Sequence, residues 1–216
     1  GFTPGGSLKP AYLQRLQRIL DKADELEMVV ILGLFYFGQD ERLADEASVK
    51  HAVRNACTWL LENGYTNVLI EINNECNVPR YEHEILQPHR VHELIKLAKK
   101  VSVSGSNLLS GTSYGGGMIP DNSVLSVSDF VLLHGNGVVN PERITEMVNE
   151  TRSLPHFKPM PILFNEDDHF GFENNSNNFS KSIESYAGWG YFDPGEGEAN
   201  YLESFDGSFN DLTEQV

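Results

Sequence analysis

Two glutamates carry the most specific chemistry in the chain. Glu75 ends the apolar run 67–75 (NVLIEINNE) and Glu166 ends the run 161–166 (PILFNE), and an asparagine stands directly before each. Two carboxyl groups that flank a glycosidic bond can break it. One protonates the leaving oxygen while the other attacks the anomeric carbon or activates water. The same pattern also fits ordinary solvated or salt-bridged carboxylates. His134 ends a third run, 130–134 (FVLLH), so an imidazole joins the two carboxyls among the strand-end residues.

The hydrophobic pattern predicts the elements that hold these residues. Residues 7–27 read as an amphipathic helix, with Leu13, Leu16, Ile19, Leu20, Ala23 and Leu26 at helical spacing and Ser7 and Pro10 at its start. Residues 28–37 (MVVILGLFYF) are too short and too continuously apolar for a surface helix, and predict a strand buried on both faces. A helix over 45–62 follows, with Trp59 on its buried face and Asn63-Gly64 as its stop, and then a second buried strand over 67–75. The alternation continues with a helix at 88–103, strands at 108–113 and 130–134, and a helix at 141–153 with proline in its first turn. A strand at 161–166, a helix at 179–187 and a strand at 189–192 complete it; residues 196–216 are acidic and Gly-rich, without a clear period.

Strands separated by helices predict an α/β chain with a parallel sheet. Polar residues at nearly every strand end (Asn74-Glu75, Ser113-Tyr114, His134, Asn165-Glu166, Asp193) point to a (β/α)8 TIM barrel, whose site gathers residues from many strand ends. Such a barrel usually takes about 250 residues. The expectation is therefore an incomplete barrel over residues 1–195, strands three to eight recognisable, with 196–216 as a tail. The opening stretch GFTPGGS lacks the basic and apolar regions of a signal peptide. It leads straight into a helix, which suggests a natural chain that begins earlier. Open barrel edges would favour association.

The string VLIEINNECN at 68–77 resembles the fourth-strand motif of clan A glycoside hydrolases, in particular the cellulase-like family 5, where E-x-x-N-E-P ends the strand. Glu71, Asn74 and Glu75 match, and Cys76 stands where proline is usual. MPILFNE at 160–166 is similar to the seventh strand of that clan, and His134 and Trp189 fit its sixth-strand histidine and eighth-strand aromatic. The resemblance implies a retaining glycosidase that needs no cofactor. Glu75 would be the acid/base, Glu166 the nucleophile, and Asn74 the partner of the sugar 2-hydroxyl. His134 would hold Glu166 or a sugar hydroxyl, and Trp189 would floor the sugar site. Tyr36 and Tyr114 are further candidate sugar contacts. The chain departs from the pattern in three places: Gly33 to Phe37 carries no third-strand histidine, His134-Gly135-Asn136 lacks the usual tyrosine, and Asp167-Asp168 follows Glu166. These departures keep open a non-catalytic, carbohydrate-binding barrel.

Composition narrows the remaining classes. Sixteen Lys and Arg against 31 Asp and Glu give a net charge of −15 over 216 residues, a field that repels phosphate backbones and argues against nucleic acid. No apolar run approaches the roughly eighteen residues that span a bilayer. Two cysteines form no disulfide framework and show no zinc spacing. Glu71, deep in a barrel, would need a cationic partner. Asp167, Asp168 and His169 suggest a hard-metal site, but three adjacent residues are not expected to face one ion, so no metal is assigned. A metal-dependent hydrolase using His134, His169 and the Asp pair remains the third reading. Polymeric glycans lie outside cells, so a secreted or periplasmic location is expected.

Overall fold

The computed structural model describes residues 1–169 and 171–192. Helix α1 (Pro10–Glu25) opens on its proline and packs Leu20 and Ala23 inward, whereas Ile19 and Leu26, expected on the same stripe, are exposed. Strand β1 (Val30–Phe35) leads to α2 (Glu46–Glu62), where the Asp45 carboxylate accepts the Ser48 N–H at 2.7 Å, a side-chain cap. Gly64, at φ +82°, lets the chain leave that helix as the Tyr65 N–H bonds back to the Leu60 carbonyl.

There follow β2 (Val68–Asn73), α3 (Val91–Lys100), β3 (Ser110–Gly111) and a short α4 (Asn122–Leu125). Then come β4 (Val131–His134), α5 (Glu142–Ser153), β5 (Ile162–Glu166), α6 (Asn178–Glu184) and β6 (Gly188–Trp189). The alternation expected from the pattern is present, with shorter strands. The stretch predicted at 189–192 keeps only its start. Residues 193–216, which hold Asp193 and the proposed boundary at 195, lie outside the described residues.

The described strands form two parallel three-stranded sheets, β1-β2-β3 and β4-β5-β6, rather than a closed barrel. They meet where the Asp129 N–H donates to the Ser110 carbonyl at 3.1 Å and the Ser110 N–H to the Asp129 carboxylate at 3.0 Å. Gly111 makes this approach close: a Cβ there would sit 3.0 Å from the Phe130 carbonyl oxygen. One core packs Val49, Val53 and Leu60 with Ile70, Ile72 and Leu94, and a second packs Leu133, Phe164, Ile144 and Met147.

Only one of the first two strands is buried as expected. β2 has a neighbour on each side and is almost wholly covered, but β1 is only partly buried because β2 is its single strand partner among the described residues. Trp59 is likewise half-buried, stacked on Tyr65 at the edge of the first core.

Candidate active site

The carboxyl end of β2 is built to hold a strained turn. Asn73 is fully buried; its amide donates to the Leu86 carbonyl at 3.0 Å, and Thr112 Oγ1 donates to its backbone and side-chain oxygens. The Asn74 N–H bonds the Phe35 carbonyl, and the Asn74 carbonyl accepts from the Tyr81 hydroxyl at 2.5 Å. The chain can then take Glu75 through φ +47°, a left-handed conformation that costs a non-glycine residue about 1–3 kcal/mol. The Ser113 hydroxyl accepts the Glu75 N–H at 2.8 Å, which holds the strained residue in place.

β4 and β5 bring the other two groups to it. A register irregularity at Leu133/His134 aligns His134 with Glu166, and the Gly135 N–H donates to the Glu166 carbonyl at 2.7 Å. His134 Nδ1 lies 3.0 Å from Glu75 Oε1 and 3.6 Å from Glu166 Oε2. One oxygen of each glutamate and one histidine nitrogen all fall within 4.8 Å of one another. Asn136 Nδ2 donates to Glu166 Oε2 at 3.1 Å. Burial works against a charge on His134, but the Glu75 hydrogen bond and the charge of Glu166 outweigh it, so its pKa lies above the ordinary imidazole value.

Glu71 does not have the cationic partner expected of it. Its Oε1 accepts from the Ser113 hydroxyl at 2.5 Å, and among the described residues no Lys or Arg forms an ion pair with it. Burial raises its pKa, opposed by the Ser113 hydrogen bond, and so favours the neutral acid in place of the ion pair. Ser113 thus links Glu71 to the Glu75 backbone. The neighbouring Cys76 thiol is pushed up to about 12 by burial, which removes it as a nucleophile near neutral pH.

A cavity of about 380 Å³ opens beside this cluster, lined by Glu166, Asn74, Glu71, Gly33, Phe35 and Tyr36 among others. Tyr36 is 47% exposed and stacks on Phe37 with ring centroids 4.2 Å apart. One expected sugar contact is corrected: Tyr114 is 3% exposed and packed into the first core, so it has no free face. His134 is fully buried, and of its two expected partners, Glu166 and a sugar hydroxyl, the structure brings Glu166 to it, together with Glu75. Trp189 is half-buried on β6 and donates from Nε1 to Asp167 Oδ2 at 2.8 Å.

The sequence does not single out Asn136 or Ser113 as site residues, and it offers Asp167 only as a candidate metal ligand. Asn136 sits two residues after His134, where the family's tyrosine was missed, and that offset was its signal. Ser113 was visible only as a polar strand end. Asp167, Asp168 and His169 do place one ligand atom each within 4.8 Å of one another, against the expectation that adjacent residues would diverge. Their oxygens already accept hydrogen bonds: Asp167 from the His169 N–H, Asn178 and Trp189, and Asp168 from the Gly137 N–H. Among the described residues no helix is long and apolar enough to cross a membrane.

No protein-family model and no curated protein matches the chain. Solved structures match it in shape. The chain is similar to a family 5 xyloglucanase from Paenibacillus pabuli, with a TM-score of 0.62 and 11% identity, covering 93% of this chain and 76% of that one. It is also similar to an endoglucanase, with a TM-score of 0.50 and 14% identity, covering 89% of this chain and 75% of that one. At these identities the likeness is one of fold. The parallel α/β architecture is similar to that of these two structures.

Proposed function

We propose that the chain hydrolyses β-glycosidic bonds in a glycan or glycoside by a two-step retaining mechanism, on a (β/α)8-type scaffold whose strands three to eight are those described. The observation that carries this reading is the approach of Glu75 and Glu166, with oxygens within 4.8 Å at the carboxyl ends of parallel strands. Retaining enzymes hold their two carboxyl groups about 5–5.5 Å apart, whereas inverting ones leave roughly 6.5–9.5 Å for a water.

In the first step the ionised Glu166 attacks the anomeric carbon as the bond to the leaving oxygen breaks. Glu75 gives its proton to that oxygen, and a glycosyl ester on Glu166 remains. In the second step the Glu75 carboxylate takes a proton from water, whose oxygen attacks the same carbon and releases Glu166. Asn136 and His134 hold the two carboxylates at working distance, and Asn74, lining the cavity, bonds the sugar 2-hydroxyl. The matched structures are named as a xyloglucanase and an endoglucanase, which favours β-glucans as the substrate class. Such a substrate fits a secreted or periplasmic protein. The outer edges of β1 and β6 are proposed sites of association, readable as a dimer in sizing experiments.

The test is hydrolysis of aryl β-glycosides and β-glucans by the wild type and Glu166→Ala. Turnover lost in the variant, and restored by azide with inverted product, is expected. A folded wild type that binds glycans and cleaves none would overturn the enzyme and leave the carbohydrate-binding reading.

A further inference from the structure

Asp167 is fully buried, and its oxygens accept four N–H donors from four different residues. Oδ1 accepts from the His169 N–H at 2.9 Å and from Asn178 Nδ2 at 3.1 Å, Oδ2 accepts from Trp189 Nε1 at 2.8 Å, and its carbonyl accepts from the Phe192 N–H at 3.0 Å. The end of β4 closes against the same carboxylate: a Cβ on Gly135 would lie 2.5 Å from its carboxyl carbon. One side chain therefore ties the residue after Glu166 to the start of α6, to β6, and to the loop that follows His134.

We propose that Asp167 is the positioning residue that fixes the plane of Trp189 and through it the affinity for sugar. This rests on the glycosidase reading, in which Trp189 is the aromatic floor. The indole also packs against the second core and meets Phe172 and Phe179 edge-on and Tyr191 tilted, with centroids 5.5 to 6.4 Å away. Such contacts bury area but do not single out one rotation of the ring, whereas the Nε1 bond does. The role calls for a carboxylate. All three groups facing it donate, and an amide in its place would turn its own hydrogens on at least one of them.

The chain holds two tryptophans, Trp59 and Trp189, so in a Trp59→Phe background emission reports Trp189 alone. Titration with cellotetraose is expected to change that emission. Asp167→Asn is expected to shift the emission of the free protein and weaken binding by about tenfold or more, the scale of a lost bond to a charged group. At saturation kcat should change by less than about threefold, because Glu75 and Glu166 keep their holders. In a Trp189→Phe background, which lacks Nε1, Asp167→Asn should raise KM by less than about twofold. Equal losses in both backgrounds would overturn the proposal, since Asp167 would then act through the loop alone. Gly135→Ala, which pushes on the carboxylate, should reproduce the binding loss even if Asp167→Asn does not fold, and wild-type binding by that variant would overturn the proposal too. A protein that hydrolyses glucans with no change in Trp189 emission defeats this inference and spares the hydrolase reading. A folded wild type that cleaves no glucan defeats the hydrolase reading while the emission experiment still reports on Asp167.

Discussion

Replacing His134 by glutamine removes the imidazole that lies between two carboxylates and leaves a neutral hydrogen-bonding group. Charges on Glu75 and Glu166 within 4.8 Å of each other repel by about 3.5 kcal/mol at an effective dielectric near 20. In the wild type His134, 3.0 Å from Glu75 and 3.6 Å from Glu166, offsets this repulsion. The kcat/KM on an aryl β-glycoside should therefore fall by about ten- to a hundredfold in His134→Gln, where the repulsion between the two carboxylates is no longer offset. A rate within about twofold of wild type would refute the argument. Stability gives an independent check. The folded pKa of His134 lies above its ordinary value, so its ion pairing is fully present below about pH 6.5 and is lost as pH rises through the folded value. The denaturant midpoint of the wild type should fall across that window, by at most about 1.4 kcal/mol per pH unit, while that of His134→Gln stays level there. A level wild type would show that the imidazole is not charged.

Asn136→Ala removes the 3.1 Å hydrogen bond to Glu166 Oε2, and kcat/KM should fall by about ten- to a hundredfold, with little change in Tm; an unchanged rate would show that the nucleophile does not depend on it. Ser113→Ala leaves the N–H of the left-handed Glu75 and the buried Glu71 without their shared hydroxyl, so urea unfolding should report a loss of about 1–3 kcal/mol, together with lower activity; a neutral result would show that water replaces the hydroxyl. Prolonged treatment with EDTA should leave glycoside hydrolysis unchanged, whereas loss of activity restored by a divalent cation would favour the metal-dependent reading at Asp167, Asp168 and His169.

The framework was legible because it rests on long apolar patterns. A run such as VLIEIN has one favourable arrangement, between two other strands, and β2 occupies it. The same logic misjudged VILGLF, because periodicity reports how apolar a segment is and not how many neighbours it finds. β1 has one strand partner among those described, and its carboxyl end, Gly33 to Phe35, lines the cavity. Tyr114 failed for a related reason. An aromatic at a strand end looks the same in sequence whether its ring turns toward a ligand or into the core, and the packing of the first core decided it.

The site shows a sharper division. Glu75 and Glu166 stood out because carboxylates at the ends of apolar strands are costly to place without use or partner. The groups that hold them include two short polar ones, the Ser113 hydroxyl and the Asn136 amide. Each acts at a distance fixed by a neighbouring strand, so its role exists only once β3 and β4 are in register with β2 and β5. Asn136 makes the case most directly. Read as a missing tyrosine, it counts against activity; in the fold its amide donates to Glu166 Oε2, the hydrogen bond on which the proposed mechanism draws. A departure from a family pattern removes a residue type, and whether it removes the interaction depends on what the backbone brings within about 3 Å of the vacated partner.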